Sequence, residues 1–169
     1  MSSLPCDDAQ WRRFVTDHFA DRADVARETF EAHRTGCTPA QLIAAVQTEQ
    51  TFRQPALVLS EKRAHKGTAT WMYWFTWASS AFDGLVGSCH ALDIPFVFDN
   101  LSAPGIGMLL GDRPGQQAVA TRFADEVTDF AAKGHAAWPT YDLGSRSTLR
   151  IDDVTEVVDD PESALRSLF

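Results

Sequence analysis

The sequence has no disulfide pattern. Its three cysteines, Cys6, Cys37 and Cys89, are odd in number and far apart, with no Cys-x-x-Cys spacing. That excludes a disulfide framework and fits a reducing, cytoplasmic setting. No stretch approaches the roughly 18 apolar residues that a membrane span needs, and the first residues, Met1 to Asp8, have neither a basic start nor an apolar core, so no signal peptide is expected. No basic run is longer than Lys62-Arg63, with Lys66 nearby, so a nucleic-acid footprint is missing. His18, His33, His65 and His135 have no metal-ligand spacing, and His33 with Cys37 supplies too few ligands. Neither a metal nor a cofactor is expected. Internal repeats and low-complexity tracts are absent too.

What is present describes a folded chain. Of 169 residues, 44% are apolar and five are tryptophan, against a charged fraction of 22%; such a composition can bury a core and is not that of a disordered protein. The net charge of −8 is ordinary for a soluble protein and names no substrate.

The patterning is largely helical. Asp7 or Asp8 can cap a first helix with Trp11, Phe14, Val15 and Phe19 on one face. A second helix is expected from near Asp21 to Gly36, with Val25, Ala26 and Phe30 inward. Thr38-Pro39 opens a third, burying Leu42, Ile43 and Val46. A fourth runs from Phe52 to Lys66 and stops at Gly67. Thr68 to Trp77 then reads as a strand with aromatic residues on both parities, hence buried on both faces near the centre of a sheet. Asp93 to Phe98 is a short helix or a strand, and Ser102 to Gly115 a loop. Gln116 to Lys133 is a helix with Val119, Phe123, Val127 and Phe130 on one face. Thr148 to Asp152 and Thr155 to Val158 make a hairpin, and Pro161 to Leu168 a last helix.

Between the aromatic strand and the short apolar run lies Gly87-Ser88-Cys89-His90, followed by Ala91-Leu92-Asp93-Ile94-Pro95-Phe96-Val97-Phe98. A histidine just past the end of a buried strand is where α/β folds keep their chemistry. This stretch resembles the catalytic-histidine segment of type-B carboxylesterases, α/β-hydrolases related to the cholinesterases. The likeness rests on the aromatic strand, the Gly-x-x-His at Gly87 to His90, and the His-x-x-Asp-Ile-x-Phe-Val-Phe that follows. It extends from Pro39 to Phe169 through the long helix, Trp138-Pro139-Thr140-Tyr141 and the hairpin, and fades before Pro39. It implies an α/β fold class, with residues 1–169 as the C-terminal portion of an α/β-hydrolase domain, mostly helical with one buried sheet strand and a closing hairpin. It also implies that His90 is the general base of a Ser-His-acid triad, acting on a small-molecule ester.

In that class the nucleophile and the acid precede the histidine in the chain. No Gly-x-Ser-x-Gly occurs in this sequence, and the oxyanion-hole glycines are absent as well. Asp7 and Asp8 fit a helix cap better than a replacement acid. Ser88 and Cys89 adjoin His90, and adjacent side chains rarely align as nucleophile and base, so structural roles are expected for both. Asp93 either orients His90 from the next helical turn or is a solvent-facing charge or cap. Trp77, Phe82 and Phe98 either line an acyl or alcohol pocket near His90 or belong to the core. Gly105 to Gly111 misses Gly-x-Gly-x-x-Gly by one residue and follows a turn, so no dinucleotide site is expected.

Two function classes follow. One is a histidine-bearing portion of a carboxylic-ester hydrolase, silent by itself and completed by an upstream portion. The other is a non-catalytic structural or interaction unit derived from the same half-fold.

Overall fold

The computed structural model of the chain describes residues 6–169. In chain order the helices are α1 (Asp8–Phe19), α2 (Ala23–His33), α3 (Pro39–Thr48), α4 (Gln54–His65), α5 (Asp93–Val97), α6 (Gly107–Leu110), α7 (Gln116–Lys133) and α8 (Ser163–Arg166). The strands are β1 (Met72–Phe75), β2 (Thr148–Ile151) and β3 (Glu156–Val158). With 54% helix against 7% strand, the mostly helical architecture with a closing hairpin is as expected, and the strands form one small open sheet of three. The chain divides into two compact units, one formed by residues up to Lys62 with Glu162–Phe169, the other by Arg63–Pro161.

The first unit is built on capped amphipathic helices. The Asp7 carboxylate accepts the Gln10 N–H at 2.8 Å while the Gln10 side chain accepts the Asp7 N–H at 2.9 Å, a reciprocal cap that satisfies two otherwise orphaned donors. Thr38 and Gln41 form the same box at the start of α3, with Pro39 in its first turn. Trp11, Val15 and Phe19 of α1 meet Ala26 and Phe30 of α2, Leu42 and Val46 of α3, and Leu165 and Leu168 near the C-terminus in one core. Val25, expected inward, is 59% exposed, because Ala26 and Phe30 set the buried stripe and Val25 lies one helical step, about 100°, off it. Over Glu49–Arg53 a wider π-type turn joins α3 to α4, and it carries the buried Glu49.

In the second unit β1 pairs parallel to β2, with Met72 opposite Thr148 and Phe75 opposite Ile151. β2 pairs antiparallel to β3 through the hairpin expected around Asp152-Asp153. The sheet order is β1-β2-β3. The aromatic strand is therefore shorter than expected and stands at an edge, half-buried, with Tyr73 exposed; the buried strand is β2, in the middle. The reason is the supply of partners. Tyr73 and Phe75 pack on Phe123 of α7, and Phe75 also on Phe96 of α5, whereas among the described residues only one edge of β1 has a strand to bond. The two tryptophans before and after α7 lock the entry to β1: Trp71 Nε1 donates to the Trp138 carbonyl and Trp138 Nε1 to the Met72 carbonyl, each at 3.1 Å.

Asp93–Val97 is a helix, which settles the alternative left open by the sequence. α7 has the expected ends and buries Val119 and Phe123, with Phe130 left exposed at the far turn, where its ring meets Trp71. The segment read as a loop before α7 contains the single-turn helix α6.

Candidate functional site

His90 lies on the loop that leads from the end of β1 into α5 and is exposed. Three anchors hold that loop. Ser88 Oγ donates to the carbonyl of Phe75, the last residue of β1, at 3.2 Å. Gly87, with φ +54, offers its carbonyl to the Ser79 N–H at 3.1 Å. Leu92 is buried in the core of the second unit and Cys89 packs against that core from the loop. The chain between these anchors turns through Ala91 at φ +65, a left-handed conformation that costs a non-glycine residue free energy and marks a position fixed by its surroundings. The result is an exposed histidine on an anchored turn.

The structure gives the neighbouring candidates definite places. Ser88 is engaged as a strap to the backbone of β1. Cys89 is half-buried and is a free thiol. Asp93 opens α5, and its Oδ2 accepts the Tyr73 hydroxyl at 3.3 Å. Partial loss of hydration where the Tyr73 ring packs on Phe123 pushes its phenol above its ordinary range, and the charge of Asp93 and the hydrogen bond to it add to the shift. Thus the residue three beyond His90 is tied to the aromatic strand, which fixes the first turn of α5.

The three aromatic pocket candidates are not alike. Trp77 is fully buried, its ring 4.7 Å from Phe96 and covered by the Arg113 guanidinium at 5.1 Å; that is a core residue. Phe82 is 64% exposed and Phe98 is 74% exposed. Phe98 borders a shallow apolar hollow of about 150 Å³ with Ile94, Pro95, Asn100, Ala103 and Ile106. Asp7 caps α1, as its position suggested. Among the described residues no group of three His, Cys, Asp or Glu side chains is disposed to hold a metal ion.

Sequence reasoning missed the residues that fasten the loop from the far side: Ser79, Ser80, Gly111 and Arg113. Ser79 is buried, and Arg113 donates to the Ala78 carbonyl at 2.8 Å. The available signal was the pair of serines directly after an apolar strand, which suggests a turn and says nothing of its partner.

No family model matches the chain. It is 30% identical over 152 residues to the phenmedipham hydrolase of Pseudarthrobacter oxydans, covering 83% of this chain and 29% of that protein. It is 27% identical over 132 residues to the fumonisin B1 esterase of Sphingopyxis macrogoltabida, covering 78% of this chain and 23% of that one. Among solved structures, a Geobacillus stearothermophilus carboxylesterase superposes with a TM-score of 0.71 at 24% identity, over 95% of this chain and 36% of its own. The chain thus spans under a third of the length of these curated relatives and little more than a third of the solved enzyme. These likenesses make this chain a relative of the esterases that carries the carboxylesterase type of α/β-hydrolase fold over part of that domain.

Proposed function

We propose that this chain supplies the general-base histidine, His90, of a carboxylic-ester hydrolase, and that a second stretch of polypeptide supplies the serine nucleophile, the acid and the oxyanion hole. The observation that carries this reading is the placement of His90: an exposed imidazole on a turn tied to the end of β1 by Ser88 and to the core by Leu92. In the reaction the serine oxygen attacks the ester carbonyl carbon while His90 takes the hydroxyl proton. His90 then returns that proton to the alkoxide as the carbon–oxygen bond breaks, and a water molecule repeats the sequence on the acyl-enzyme. Asp93, tied to Tyr73, holds the turn that follows His90. The edge of β1 that bonds no strand among the described residues is a suitable seam for the completing segment, since unpaired strand edges accept further strands.

Hydrolysis of short nitrophenyl esters tests this. The chain alone should turn over no faster than its His90→Ala variant, because a triad without its nucleophile loses on the order of a million-fold in rate. Combined with an upstream carboxylesterase portion that carries serine and acid, it should restore activity, and His90→Ala should remove it by about 10⁴-fold or more. Restored activity that is indifferent to His90→Ala would overturn the assignment. A non-catalytic role has one observation on its side: each unit already closes its own core around fully buried aromatics, Trp11 and Phe30 in one and Trp77, Phe96 and Phe123 in the other. A stable, monomeric chain that no upstream portion activates would favour that second reading.

A further inference from the structure

Residues 77–81 and 109–113 are far apart in sequence and tightly joined in space. The Ser79 hydroxyl is 2.5 Å from the Leu109 carbonyl, to which it donates, and accepts the Ala81 N–H at 2.9 Å. The Ser79 N–H reaches the Gly87 carbonyl at 3.1 Å, so this one buried serine links α6 to the residue three before His90. Ser80 continues the contact: its N–H donates to the Leu110 carbonyl at 3.3 Å, its hydroxyl donates to the Asp112 carboxylate at 3.1 Å, and that hydroxyl accepts the Asp112 N–H at 2.9 Å. Gly111 lets the two segments approach. Its backbone, φ +69 and ψ −154, is nearly closed to other residues, and a Cβ there would sit 2.3 Å from Ser80 Oγ and 2.5 Å from the Ala81 nitrogen.

We propose that this clasp of Ser79, Ser80 and Gly111 is the positioning device of the histidine turn, with Ser79 the positioning residue for His90. This deepens the reading of His90 as general base and rests on it. The physical need is plain. Between the clasp and His90 the chain passes through Phe82 at φ +54 and Asp83 at φ +56, both left-handed. Such conformations persist only where their ends are fixed. Ser79 fixes both ends of that excursion at once, through its own N–H to Gly87 and its hydroxyl to Leu109. On the other side of Gly87 the Ser88 strap, the Leu92 N–H to the Cys89 carbonyl and the packing of Cys89 and Leu92 help to hold the turn. Loss of the Ser79 hydroxyl leaves the N–H on the Gly87 carbonyl but unties that pair from Leu109, and so loosens the approach to His90. An imidazole that must meet a serine within hydrogen-bond reach loses rate when its turn wanders by about 1 Å.

The test uses the whole chain and reads the loop without esterase activity. Cys89 adjoins His90, while Cys37 lies in the first unit and serves as an internal reference. In Ser79→Ala, maleimide labelling of Cys89 should accelerate about tenfold, the effect of one lost buried hydrogen bond on local opening, with Cys37 unchanged. Ser79→Thr, which keeps the hydroxyl, should restore most of the protection. Gly111→Ala should open the turn at least as far; if that variant fails to fold, the Ser79 pair carries the result. In the completed esterase Ser79→Ala should lower kcat about tenfold at unchanged KM. Unchanged Cys89 labelling, or an equal rise at Cys37, would overturn the proposal, as would a raised KM at constant kcat. Indifference of the completed enzyme to His90→Ala overturns the base reading whatever the labelling shows, so the two failures are read separately.

Discussion

Glu162 shows how much one side chain can hold. Its carboxylate pairs with Arg34, whose Nη2 reaches Oε2 at 2.8 Å, and with Arg53 at 2.7 Å; Arg53 in turn reaches the buried Glu49 at 3.1 Å. Burial alone would push the Glu162 carboxyl up, but the Arg34 hydrogen bond and the charges of Arg34, Arg53 and His33 outweigh it and hold the group below the usual range. The Arg34 guanidinium is raised in return, chiefly by its hydrogen bond to Glu162. With the native carboxyl depressed, its contribution is full above the unfolded value of about 4.3 and is lost as pH falls through the lower native value. Glu162→Gln should therefore cost about 1–2 kcal/mol at neutral pH, between an exposed and a fully buried pair, because Glu162 and Arg34 are only partly buried. Urea unfolding checks it: the gap between wild type and variant should be wide at pH 7 and shrink at pH 3, and a gap independent of pH would refute the linkage. The sequence shows none of this, because Glu162 is 128 residues from Arg34 in the chain. The flanks of His90, by contrast, single it out in the sequence, and the structure sets it on an exposed loop. Trp77 was legible only as an aromatic near the loop, and the packing made it core.

The elements that matched expectation are those whose ends carry local chemistry. α1, α3 and α7 begin or stop where a cap or glycine dictates: Asp7 with Gln10, Thr38 with Gln41, and Gly134 in the left-handed region after Lys133. β1 shows the opposite. Its aromatic density was read as burial on both faces, yet strand burial depends on what lies across and beside it, and the main partners, Phe123 and the strand β2, are 48 or more residues away. α7 supplies one of them through Phe123, whose ring lies 5.0 Å from Tyr73 and 6.0 Å from Phe75. Phe123→Ala should thus destabilise the second unit by about 3–5 kcal/mol, the lost transfer free energy plus the cavity left behind. Denaturant unfolding followed by aromatic circular dichroism measures it. A loss under about 1 kcal/mol would mean that β1 is not held by α7.

At the scale of the molecule the chain keeps two closed cores and a short sheet that is open at its edges among the described residues. Sheet order leaves one edge of β1 without a strand among the described residues, and large apolar side chains such as Phe82, Leu85, Phe98 and Met108 face water. Exposed apolar area of this kind, together with a free edge, drives association. The isolated chain should elute larger than a monomer at micromolar concentration and bind a hydrophobic dye, and addition of a completing esterase portion should reduce both. Size-exclusion chromatography with light scattering decides it. A monodisperse monomer that binds no dye would show that the seam is closed in solution.

Composition, caps and periodicity determined on their own that this chain is folded, mostly helical and closed by a hairpin. The Gly87 to Phe98 flank sets His90 apart from the other histidines. These are properties of neighbours in sequence, carried by hydrogen bonds and side-chain spacing within a few turns. Tertiary structure alone decided that β2 and not β1 is the buried middle strand, that Phe82 and Phe98 stand in water while Trp77 does not, and that Ser79 and Gly111 clasp the base of the histidine turn. Each of those depends on which distant surface arrives to pair, bury or crowd a residue, and a residue's own neighbours along the chain do not record it.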